Sequence, residues 1–126
     1  MANPNIVNVT SILGQTTYAA LTTTLNTVLL ANAASSGNVL KINSIMVSNV
    51  DGSAAADVTI DINTSAAGSG TSYALASTIS VPADATLQVI NGDSSFYLLE
   101  DKSIIGGASA NGDLEVIISY EQISSS

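Results

Sequence analysis

The chain has 126 residues, a formal net charge of −8, and no Cys, His, Trp or Arg. Those absences exclude a thiol nucleophile, a disulfide, a Ser-His-Asp triad and a zinc site of the usual kind. Lys41 and Lys102 stand alone against 10 acidic side chains, too few cations to neutralise a nucleic-acid backbone or to seek an anionic membrane.

Hydrophobic residues make up 46% of the chain, enough for the core of one domain. Met1-Ala2-Asn3-Pro4-Asn5 has neither a basic leader nor an apolar stretch behind it, which predicts synthesis in the cytoplasm without export by the general route. No apolar run is long enough for a membrane-spanning helix. Ile6–Leu13 reads as a short strand, with residues 1–13 as a possible N-terminal arm. Tyr18, Leu21, Leu25, Val28 and Leu29 fit a helical stripe, yet Thr22-Thr23-Thr24 and Thr27 are poor helix formers. A strand from Tyr18 to Leu30 with Leu21, Leu25 and Leu29 on one face is the better reading.

Two-residue alternation governs the rest. In Leu40–Asn49 the apolar phase changes between Ile42 and Ile45, as a bulge near Asn43-Ser44 or burial of both faces would require. Val58, Ile60 and Ile62 alternate with polar residues, and Tyr73, Leu75, Ile79 and Val81 share one parity. Short strands follow at Thr86–Ile90, Ser95–Leu99 and Ser103–Ala108, and Leu114, Val116, Ile118 and Tyr120 form the last alternating set. Asp51-Gly52, Asn91-Gly92 and Asn111-Gly112 are reversal signals, because these residues tolerate positive φ. The pattern predicts an all-β, single-domain antiparallel β-sandwich of jelly-roll or immunoglobulin-like type, with about eight strands.

Carboxylates are the one resource for catalysis. A sugar-cleaving pair needs two acids across a cleft and rings to hold the sugar. Glu100 and Asp101 are neighbours on a turn, and Glu115 and Glu121 face outward on the last strand. Tyr18, Tyr73, Phe96, Tyr97 and Tyr120 are the only aromatic residues, a poor platform for glycan binding. Calcium is the metal this composition suits, but Asp57 and Asp61 lie about 13 Å apart on an extended strand. Asn91, Asp93, Glu100 and Asp101 lie on neighbouring turns that could converge, although no D-x-D-x-D-G loop exists. Gly106-Gly107 falls inside a strand, where close backbone approach explains it better than a phosphate cradle. Thr22-Thr23-Thr24 is too short for an ice-binding ladder. No catalytic, cofactor-binding or metal residue is assigned, and the chain reads as non-enzymatic.

The composition points elsewhere. Only 10% of residues are charged, against about 25% in ordinary soluble domains. Ser, Thr and Asn, at 19, 12 and 11 residues, take up one third of the chain. Lys, the usual guard of sheet edges, is nearly absent. Such a neutral polar surface is suited to meeting copies of itself or a fixed partner.

The last third carries a recognisable order: Val81-Pro82-Ala83-Asp84, Phe96-Tyr97-Leu98-Leu99-Glu100-Asp101-Lys102-Ser103-Ile104, Ala108-Ser109-Ala110-Asn111-Gly112-Asp113-Leu114-Glu115-Val116, and Ile118-Ser119-Tyr120-Glu121. Upstream stand Lys41-Ile42-Asn43-Ser44-Ile45 and Val47-Ser48-Asn49. Over residues 39–122 this order resembles a family of small β-sandwich virion proteins of tailed bacteriophages, including those of cyanobacterial phages. Asp101-Lys102 stands where that family commonly has Gly-Asp after the acid. The resemblance implies a structural protein of the virion: a capsid decoration or cement protein, or else a neck, tail or fibre component. It implies as partners a symmetric homo-oligomer, trimeric among the options, and the major capsid protein or another virion protein. A receptor- or glycan-binding module is the reading from a different class, with Tyr18 and Tyr97 as its ring candidates. Ile6-Val7-Asn8-Val9 and Ile123 are the candidate contacts between subunits.

Overall fold

In the computed structural model, which describes residues 8–124, nine strands form two antiparallel sheets packed as a sandwich. They are β1 (Ser11–Ala20), β2 (Thr27–Asn32), β3 (Asn38–Asn49), β4 (Ala56–Asn63), β5 (Ser72–Val81), β6 (Thr86–Ile90), β7 (Phe96–Leu98), β8 (Lys102–Ala108) and β9 (Leu114–Ser124). The first sheet runs β1-β9-β3-β6, with β7 also on β3, and the second runs β2-β8-β4-β5. Between them lies a core that includes Ile42, Ile45, Val47, Val58, Ile60, Ile104, Leu114 and Ile118, all inaccessible to solvent.

The phase change in β3 is a bulge. Its register against β9 shifts between Ile42 and Ser44, so Leu40 and Ile42 below it and Ile45 and Val47 above it all reach the core. Gly106 and Gly107 also behave as the sequence indicates. A Cβ on Gly106 would lie 2.5 Å from the Thr59 carbonyl oxygen, and one on Gly107 would lie 2.7 Å from that of Thr24. Only glycine allows the backbones so close.

Three expectations need correction. The strand placed at Ile6–Leu13 begins at Ser11, where pairing with Ser124 at the end of β9 begins; Ile6 and Val7 lie outside the described residues. With β1 holding residues 11–13, the arm expected over 1–13 is a strand for its last part. The strand expected over Tyr18–Leu30 is interrupted. β1 runs to Ala20, buried Leu21 turns inward, and β2 starts at Thr27 in the other sheet. The crossing segment is held by Ala108 N–H donating to Thr22 C=O and Gly112 N–H donating to Leu21 C=O. The shared parity in β5 is broken by two register shifts against β4 and by Thr78 at φ 52°. The shifts bring Ala76 into the core opposite Ile60, while Tyr73 and Ile79, opposite Ile62 and Val58 on this marginal strand, are exposed and Val81 is buried.

The three buried asparagines follow one rule. Asn32, Asn49 and Asn63 are buried, and each is the last residue of its strand, β2, β3 and β4. Each side chain satisfies the backbone where the chain turns away. Asn49 donates to Ala54 and Val81 C=O and accepts from Asp51 N–H. Asn63 donates to Gly70 C=O and accepts from the Ser65 and Gly70 N–H groups. Asn32 donates to Asn38 and Leu98 C=O.

Candidate functional site

The carboxylates are distributed among structural tasks. Glu100 is buried, and its Oε2 accepts the Gly37 N–H at 2.9 Å. Exposed Asp101 sits at φ 59° and donates its N–H to Asn32 C=O. Asn91 caps the 3-10 turn at Gly92–Ser94, accepting from Asp93 N–H. These turns do not converge on an ion: among the described residues no group of three or more acids could hold a metal. The Asp51 carboxyl is held below its ordinary range by hydrogen bonds from Ser53 N–H and Oγ. Burial on β4 pushes Asp61 upward.

One depression of about 290 Å³ lies over the outer face of β4, lined by Thr23, Leu25, Asp57, Thr59, Thr78 and Ser109 among others. It contains one carboxylate and no aromatic ring. The exposed tyrosines are dispersed: Tyr18 on β1, Tyr73 on β5 and Tyr97 on β7. Neither feature assembles a ring-lined glycan platform.

What is organised is the placement of charge. Every charged side chain borne on a strand (Lys41, Asp57, Asp61, Lys102, Glu115 and Glu121) belongs to β3, β4, β8 or β9. Those four are the interior strands of the two sheets. The strands at the margins, β1, β2, β5, β6 and β7, carry no charge at all. Soluble β-proteins commonly do the reverse, because a charge on an edge strand discourages pairing with other molecules.

Edges are also blunted by shortness and by bulges. β7 has 3 residues and β6 has 5, with a register shift against β3. β2 has 6 residues and shifts register between Val28 and Leu30. β5 carries two shifts and the positive φ at Thr78. β1 has none of these devices. Its 10 residues pair with β9 in one unbroken register, with no proline and no positive φ. Nine of the ten are exposed, including Ile12, Leu13 and Tyr18, the last at 77%.

The hydrogen-bonding parity of this edge follows from its end. Leu21 N–H donates to Leu114 C=O at 2.8 Å, and antiparallel pairing alternates. Odd-numbered residues of β1 therefore bond to β9. The N–H and C=O of Ile12, Gly14, Thr16, Tyr18 and Ala20 point along the margin, where no other strand among the described residues pairs. Their side chains share the outer face of the sheet, opposite Ile123, Glu121, Ser119, Ile117 and Glu115 of β9. A second depression, about 210 Å³, lies where Tyr18 and Ala20 meet Glu115 and Ile117.

Sequence reasoning missed this margin because alternation alone does not say which strand is last in a sheet. One signal was available: the first charged side chain of the chain is Lys41, so β1 and β2, marginal strands of the two sheets, are neutral throughout. Of the contacts expected at Ile6-Val7-Asn8-Val9, the first two residues lie outside the described residues, and Val9 is half-buried. Ile123 is buried, paired with Ile12 on one side and Val39 on the other. No protein-family model matches this chain, and no curated protein or solved structure does.

Proposed function

We propose that this is a non-enzymatic structural protein of a virion, a capsid decoration protein that associates with itself and binds the major capsid protein. The observation that carries the reading is the exclusion of charge from every marginal strand. Neutral Ser/Thr/Asn margins desolvate cheaply against a neighbour, whereas buried unpaired charges would cost several kcal/mol each. Net charge stays on interior strands and turns, where it keeps the particle surface hydrated. The residue order of the last third supports the virion by its resemblance to the phage proteins. A fold without Cys suits a particle that moves between reducing and oxidising surroundings.

Quantitative mass spectrometry of purified particles tests this. A copy number equal to the major capsid protein, or a simple fraction of it, is expected. A few dozen copies would shift the protein to the neck, tail or fibres, and complete absence would refute the virion role.

A further inference from the structure

We infer that β1 is a self-pairing edge, and that two copies of this chain join antiparallel through β1 about a two-fold axis at Thr16. This names the self-association that the proposed function calls for and rests on that reading for the choice of occupant. The geometry comes from the edge itself. A strand pairing with its own copy in antiparallel sense makes an isologous contact, which closes as a dimer. That symmetry takes the place of the trimer allowed by the resemblance.

The register is set by which groups are free. Ile12, Gly14, Thr16, Tyr18 and Ala20 present their N–H and C=O to the margin, centred on Thr16. Pairing Thr16 with Thr16 of the partner subunit places Gly14 opposite the partner's Tyr18, and Ile12 opposite the partner's Ala20. Every marginal N–H and C=O then gains a ladder bond, and only Ser11, opposite the partner's Leu21, reaches past the end of the partner strand.

The side chains agree with that register. Gly14 has nothing within 4 Å of the place its Cβ would occupy, and the partner's exposed Tyr18 ring lies over that gap. An aromatic residue opposite an edge glycine is a known stabilising arrangement. Thr16 meets Thr16 of the partner subunit, a favourable hydroxyl pair. On the opposite face Leu13 meets the partner's Ala19.

Charge decides between a second copy and a charged partner. A protein of net charge −8 repels its own copy unless the contact keeps acids apart. Glu121 stands beside Gly14, and Glu115 beside Ala20. Across the joint, Glu121 is followed by Gly14, the partner's Tyr18 and the partner's Ile117. Glu115 is followed by Ala20, the partner's Ile12 and the partner's Ile123. No acid faces an acid in any cross-strand row. A basic partner strand would gain nothing from a margin that carries no charge.

The test uses the full chain. Sedimentation equilibrium of the wild type over a concentration series is expected to show a monomer–dimer equilibrium. Thr16→Lys would bring two ammonium groups together on the axis and raise the dissociation constant by about tenfold or more. Because the chain has no Cys, Thr16→Cys gives an independent readout. Hydrogen-bonded antiparallel partners lie roughly 5.5 Å apart at Cα, within disulfide reach. Mild oxidation should therefore link Thr16→Cys into a covalent dimer much faster than Ser80→Cys on β5. A wild type that stays monomeric throughout, with both cysteine variants linking equally slowly, would overturn the inference. So would a dimer or trimer unaffected by Thr16→Lys. Solution association and copy number in particles are separate readouts, so either proposal can fail alone.

Discussion

β1 and β5 are the two long marginal strands of this sandwich, 10 residues each, uncharged and largely exposed. They are finished differently. β5 is kinked by two register shifts and by Thr78 in the left-handed region. It is also fastened at both ends: Asn63 donates to Ser72 Oγ, and Asn49 donates to Val81 C=O. β1 is straight and is held chiefly by its ladder to β9. A kinked edge cannot template a second strand, whereas a straight one can. Length and composition alone do not separate a closed margin from an open one; backbone geometry does.

The largest expected effect sets the core behind β5 against the surface of β1. Ile60, fully buried and paired with Ala76 of β5, should lose about 2–5 kcal/mol of stability as Ile60→Ala. Tyr18→Ala, on an open face, should change monomer stability by no more than about 0.5 kcal/mol. Urea unfolding of both variants at a concentration favouring monomer checks the contrast. Equal losses would mean that β1 is packed in the isolated chain.

Parity within β1 is sharpened by proline. Thr17→Pro removes an N–H that bonds to β9 and should cost about 2–3 kcal/mol. Thr16→Pro removes one that faces the margin, so it should leave the unfolding midpoint nearly unchanged while abolishing self-association. The same denaturation series, read beside sedimentation, separates them.

Asn49→Ala leaves the Val81 and Ala54 carbonyls and the Asp51 N–H without their partner. A loss of about 1–3 kcal/mol is expected, with faster hydrogen exchange at the Val81 end of β5. Conversely, Thr78→Gly removes a β-branched side chain from φ 52° and should stabilise by about 1 kcal/mol. A calorimetric melt decides the sign.

Asp61 gives the smallest effect. Its folded carboxyl is raised above the ordinary 3.8 by burial, so the native state holds its proton more tightly than the unfolded one. Stability contributed by this group therefore falls as pH rises through that window and stays reduced above it. Asp61→Asn should be slightly more stable than wild type at pH 7, and the difference should vanish below pH 3.8.

Much of this architecture was legible in the residues. Alternation marked β3, β4, β6, β8 and β9, the Ile42/Ile45 phase break marked the bulge, and Gly106-Gly107 marked a close approach. The failures share a cause. Tyr18–Leu30 reads as continuous because nothing local records that Leu21 leaves one sheet for the other; the Thr22 and Leu21 carbonyls are bound by residues 108 and 112. Tyr73 and Ile79 share the parity of buried Val81 yet are exposed, because neither the marginal position of β5 nor the left-handed Thr78 is announced by neighbouring residues. The open edge was half-legible: neutrality up to Lys41 is a sequence fact, whereas marginal position is a property of topology.

The most direct measurement is residue-resolved amide hydrogen exchange across β1, in concentrated and in dilute solution. If β1 pairs with itself, the amides of Ile12, Gly14, Thr16, Tyr18 and Ala20 are protected when concentrated and exchange freely on dilution. Those of Leu13, Gln15 and Thr17 stay protected in both. Free exchange of the first set at every concentration, or protection that dilution does not remove, would contradict it.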